Sequence, residues 1–169
     1  MTSKKIAGDG LLFHPAHGLC RVDRMTEQEQ SGEKVLCYSL VPKTTNRMKV
    51  RFLVEVKHAE SSGFHKVISA KEAGKLLNYL KAGDGSAVQT EPAWVLAQNI
   101  LSFSADKLKT RDQRKRQLLE HSIKGLVGEL ACAFRLSLME TASRIEKSLT
   151  KISKVDSLVL AALGRAAEG

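Results

Sequence analysis

Gly18-Leu19-Cys20-Arg21-Val22-Asp23-Arg24-Met25 sets apolar and polar residues in turn. That period of two belongs to a strand with one buried and one wet face. Leu11-Leu12-Phe13 stands before it, followed by the turn His14-Pro15-Ala16-His17-Gly18, which Pro15 and Gly18 punctuate. Beyond it, Ser31-Gly32-Glu33 reads as a turn into the apolar run Lys34-Val35-Leu36-Cys37-Tyr38-Ser39-Leu40-Val41. Pro42-Lys43-Thr44-Thr45-Asn46 makes another turn, and Arg47-Met48-Lys49-Val50-Arg51-Phe52-Leu53-Val54 alternates again. Four or five short strands at this spacing predict a small barrel rather than a parallel sheet.

The second half changes period. Ser69-Ala70-Lys71-Glu72 has capping-box spacing and is followed by Leu76, Leu77 and Leu80. Ala82-Gly83-Asp84-Gly85-Ser86-Ala87 reads as a linker. Pro92 suits the first turn of a helix carrying Trp94, Leu96, Ala97 and Ile100, with Ser102 or Ser104 capping a turn after it. Thr110 is the expected cap of a long helix on which Leu119, Ile123, Leu126, Leu130 and Phe134 form one stripe. Gly125 and Gly128 on it permit close approach of a neighbouring helix. Ile145, Leu149, Ile152, Val155 and Val159 repeat the pattern between Glu140 and Ala162. The fold class expected is α+β: a β domain over 1–68, then an all-helical domain over 69–169, with a linker near 82–90.

At 169 residues, 43% hydrophobic and 27% charged, the chain can build one core or two small ones. No apolar run reaches the roughly 18–20 residues of a membrane span, and no apolar stretch follows Lys4-Lys5 as a secretory signal requires. A cytoplasmic protein without membrane contact is expected. Three cysteines at wide spacing, Cys20, Cys37 and Cys132, fit reduced thiols better than a disulfide framework.

The formal charge of +9 favours anionic partners. Lys107, Lys109, Arg111, Arg114, Lys115, Arg116 and Lys124 are concentrated on the long helix, with Asp112 and Glu120 as the only acids in that span. Cations opposite an apolar stripe can face a phosphate backbone and release its counterions; the plainer role is a solvated helix face. Trp94, the single tryptophan, is either a core residue or an apolar wedge for a minor-groove base step. Its apolar continuation Val95-Leu96-Ala97 favours packing.

His14, His17 and Cys20 stand three apart, but no fourth ligand accompanies them, so no metal is expected. His17 is expected to bond the turn backbone. Gly8-Asp9-Gly10 is a turn, too short for a phosphate loop. No nucleophile elbow or paired-carboxylate motif appears, so neither an enzymatic role nor a cofactor is expected.

Three stretches resemble the CarD/CdnL family and the polymerase-interacting domain of transcription-repair coupling factors. The first is Gly8-Asp9 with Phe13-His14-Pro15-Ala16-His17-Gly18-Leu19-Cys20-Arg21-Val22. The second is His58-Ala59-Glu60-Ser61-Ser62-Gly63-Phe64-His65-Lys66-Val67-Ile68-Ser69, and the third Leu126-Val127-Gly128-Glu129-Leu130-Ala131. Together they cover residues 8 to about 135. The resemblance implies a Tudor-like β-barrel that binds the β subunit of bacterial RNA polymerase, with Arg47, Lys49 and Arg51 as the residues facing it. It also implies a helical domain at promoter DNA that stabilises the open complex, with Trp94 where the family's tryptophan stands and Arg116 where it places a basic residue. Here the family's Val-Pro strand reads Phe52-Leu53-Val54, the segment between Trp94 and the long helix is shorter, and residues past about 136 extend beyond the usual end. The competing expectation is a pure interaction module. Its barrel would dock on polymerase or another protein, and its helical half, through apolar stripes exceeding one core, on a partner or a second copy.

Overall fold

The computed structural model describes residues 10–43, 50–83, 89–105, 112–151 and 155–169. The chain divides into two compact units, Met1–Val67 and Ile68–Gly169. It is α+β: among the described residues, an antiparallel sheet followed by five α-helices.

In the first unit β1 (Leu11–His14), β2 (Gly18–Gln30), β3 (Glu33–Pro42) and β4 (Phe52–Glu55) pair in chain order. The sheet curls into a half-barrel rather than a closed one: among the described residues β1 and β4 are its end strands, and Phe13 of β1 exchanges backbone bonds with His65 at 2.7 and 3.0 Å. The alternation of β2 slips at one place. Cys20 and Val22 stand opposite Pro42 and Leu40, but Arg24 faces Ser39 and Met25 faces Tyr38, so Asp23 is an extra residue in the ladder. Such a bulge bends a strand and raises its twist. It also keeps Arg24 off the core-facing phase that strict alternation would have given it. Leu12, Cys20, Val22, Tyr38, Leu40, Ala59 and Phe64 form the core beneath.

β2 and β3 run past that core as a ribbon. Glu27 to Gln30 on β2 and Glu33 and Lys34 on β3 are exposed. The ribbon closes through Ser31 (φ 52°) and Gly32 (φ 82°), the paired left-handed residues of a two-residue hairpin turn.

The helical unit holds α1 (Ala70–Ala82), α2 (Pro92–Ala105), α3 (Gln113–Phe134), α4 (Leu138–Leu149) and α5 (Ser157–Glu168). α3 packs against each of the other four. From Gly125 to Ala131 it is buried almost all round, which explains why small residues such as Gly125 and Ala131 stand between its leucines. Ser69 caps α1 by accepting the Glu72 N–H at 3.2 Å. Only that half of the expected box is present: the Glu72 carboxylate instead takes Lys75 Nζ at 2.7 Å.

The reciprocal box stands on α4, where Ser137 Oγ accepts the Glu140 N–H and Glu140 Oε2 accepts the Ser137 N–H. The Ser137 hydroxyl, donating to Glu140 Oε2 at 2.8 Å, and then the Ser137 N–H hold the Glu140 carboxyl below its ordinary value.

Three sequence expectations are corrected. Ser102 and Ser104 lie inside α2 rather than beyond it, and the Ser102 hydroxyl donates to the Gln98 carbonyl. The cap of α3 is Asp112; Thr110 lies outside the described residues. The periodic stretch from Glu140 to Ala162 is two helices, with Asp156 capping the second. The turn at 8–10, residues 84–87 of the linker and Ile152 also lie, wholly or in part, outside the described residues. Among those residues no helix is long and apolar enough to cross a membrane.

Candidate functional site

The cationic segment begins where α3 leaves its core. Asp112 Oδ1 accepts the backbone N–H groups of Arg114 at 3.1 Å and Lys115 at 3.3 Å, which starts the helix without help from packing. Residues 113–118 are then exposed without interruption, and Leu119 is the first buried side chain. Arg114, Lys115 and Arg116 stand on these free turns, and Lys124 is exposed two turns further on. None of the four makes an ion pair with a described residue. Three cations in a first turn oppose the helix macrodipole, so they are not there to stabilise α3. Glu120, the nearest acid on the helix, is held by Arg165 of α5 at 2.6 Å. Lys107, Lys109 and Arg111 lie outside the described residues.

Trp94 is not on this surface. It is 4% exposed, packed edge-on against Tyr79 with ring centroids 5.3 Å apart, inside the core of the helical unit. Its indole N–H meets no hydrogen-bond acceptor among the described residues. In this conformation no part of the ring is available to a base step, and the packed reading of the residue replaces the wedge. The apolar stripes are likewise absorbed: Leu119, Ile123, Leu126, Leu130, Ile145, Leu149 and Val159 are all buried in one core. Phe134 and Val155 of the same stripes are half-buried against that core, and Met139 and Leu160 are exposed.

Sequence reasoning missed Leu118, which is 46% exposed between the cations. The signal was present in the spacing: Leu119 is four before Ile123 and in phase with the stripe, whereas Leu118 stands 100° off it.

On the sheet, Arg51 stands just ahead of β4 and pairs with Asp23, Nη1 to Oδ2 at 2.6 Å. It is thus tied to the bulged residue of β2. Arg47 and Lys49 lie outside the described residues. Among the described residues β4 pairs with β3 alone, and its Leu53 is 57% exposed. The alternation of Arg47 to Val54 puts Leu53 in the outward phase with Arg47, Lys49 and Arg51, although Phe52-Leu53-Val54 is apolar throughout.

The histidine turn is held by a different histidine from the one expected. His14 Nδ1 accepts the Ala16 N–H at 3.0 Å, and Nε2 faces the Ser62 carbonyl at 3.1 Å. The carbonyl can only accept, so the proton sits on Nε2. The His17 ring lies between His14 and Phe52, at 4.5 and 4.4 Å. Burial pushes the Cys20 thiol up, as expected for a packed cysteine.

No protein-family model matches the chain, and no curated protein matches it.

Proposed function

We propose that this chain is a polymerase-bound promoter factor of the CarD/CdnL type. In this reading the half-barrel is Tudor-like and docks on the β subunit of RNA polymerase, while the helical unit contacts promoter DNA and lengthens the life of the open complex. The observation that carries it is the set Arg114, Lys115, Arg116 and Lys124: exposed, without ion-pair partners among the described residues, on a helix whose apolar side is fully used. Unpaired cations on a rigid helix suit phosphates, whose binding is driven by counterion release. The edge of β4, with Leu53 outward and Arg51 beside it, suits a protein partner that adds a strand. The three stretches of family resemblance supply the identity of that partner. Since the apolar stripes close on each other, docking without DNA is the weaker reading.

A tagged chain drawn from bacterial lysate should bring the β subunit with it, and purified chain should slow open-complex decay in a salt-sensitive way. Co-purification with unchanged decay at low salt would leave only the docking function. Absence of the β subunit would reject the polymerase assignment.

A further inference from the structure

The first six residues of α3 stand clear of the core on every side. A helix packed on a globular unit buries a residue every third or fourth position; over residues 113–118 it buries none. At 1.5 Å per residue this is about 9 Å of free helix, and an α-helix with side chains, about 10–12 Å across, is the element that B-DNA's major groove admits.

The side chains on this free length are Gln113, Arg114, Lys115, Arg116, Gln117 and Leu118. Arg114, Gln117 and Leu118 are spaced i, i+3, i+4 and share a face, which exposed His121 continues one turn on. That face holds groups suited to three of the four kinds of base edge. A guanidinium matches guanine O6 and N7, a carboxamide matches adenine N6 and N7, and a leucine meets the methyl group of thymine. Lys115 and Arg116 lie off that face, about 100° and 200° round the helix from Arg114, and are exposed. The Asp112 carboxylate already occupies two of the N-terminal amides, so this end of α3 is not arranged as a bare amide cradle for a phosphate. Glu120, the next acid along the helix after Asp112, is paired with Arg165.

We propose that residues 113–118 enter the major groove of double-stranded DNA and read base edges through Arg114, Gln117 and Leu118. This rests on the reading that the helical unit meets DNA, and adds to it that the contact is sequence-selective.

The test is enrichment of a random duplex library by the full chain at low salt, repeated with uracil in place of thymine. A short enriched motif is expected. Arg114→Ala or Gln117→Ala should each relax one position of it, reducing discrimination there roughly ten-fold or more. Uracil substitution should weaken the wild-type chain but not Leu118→Ala. Circular dichroism of these variants should match wild type, since all three side chains are exposed. Salt-sensitive binding with no motif and no response to uracil would overturn the groove reading and leave phosphate contact intact. No binding even at low salt would overturn DNA contact itself, and this proposal with it.

Discussion

A Cβ built on Gly63 would stand 2.8 Å from Nε2 of His14. The glycine also has φ +91°, a region closed to most side chains. The imidazole therefore fits between the Ala16 amide and the Ser62 carbonyl only because residue 63 has no side chain.

Gly63→Ala should destabilise the first unit by about 2 kcal/mol or more, combining left-handed strain with a displaced hydrogen bond. Gly32 is the control: its φ is +82°, but nothing lies within 4 Å of its Cβ position. Gly32→Ala should cost only about 1 kcal/mol. Urea melts of both variants measure the difference; equal losses would show that the His14 contact contributes nothing.

Much of this architecture could be read from residue spacing. Ser69 announced α1, and Leu119, Ile123, Leu126 and Leu130 announced the buried side of α3, because cap chemistry and a 3.6 period are local properties. The Asp23 bulge was not legible: it is defined by the partner strand, and Asp23-Arg24 is equally a polar pair in any strand. The last five residues of β2 lack a core face, so there was no alternation to read. The two histidines of the turn differ only in which one reaches Ser62, 48 residues from His14 along the chain. The free start of α3 was half visible, as cations without the knowledge that no neighbour covers them.

Trp94→Ala should destabilise the helical unit by about 3–5 kcal/mol, the usual loss for a large buried aromatic. Trp94→Phe should lose much less, because it retains most of the packing against Tyr79 and removes a buried N–H that has no acceptor among the described residues. Thermal or urea unfolding checks both. An alanine variant as stable as wild type would mean that the ring is not packed in solution.

Charge on α3 should appear in the salt dependence of DNA binding. Each of Arg114, Lys115, Arg116 and Lys124 that contacts a phosphate adds about 0.9 to the slope of log K against log salt. Lys115→Gln with Arg116→Gln should therefore flatten the slope by nearly two such steps, read by fluorescence anisotropy on a labelled duplex. An unchanged slope would remove these residues from the phosphate contact.

Glu140 gives a pH dependence of known sign. Its carboxyl is held below the ordinary value of 4.5 by the bonds to Ser137, so the folded state favours the charged form. The stabilisation is present above the unfolded value and is lost as pH falls through the lower folded one. Glu140→Gln should flatten the acid limb of stability below about pH 4.5 and leave its shape near neutrality unchanged. Denaturant melts across that range check it; identical acid limbs would count against the box.

Cys20 behaves in the opposite sense. Burial raises its thiol, so its contribution is present below the ordinary thiol value of 9.0 and fades as pH rises through the raised one. Brief alkylation of the native chain near pH 8 should modify half-buried Cys132 well before Cys20, as read by peptide mass spectrometry. Equal labelling would place Cys20 in solvent.

The rod that every other helix leans on is also the rod that protrudes. Its tip packs on no core, so exchanges among helix-forming residues of like charge at 113–118 should alter stability by no more than about 0.5 kcal/mol. Mutation can thus rewrite what the tip recognises without jeopardising the bundle behind it, leaving the chain free to diverge in preference while its scaffold stays under constraint.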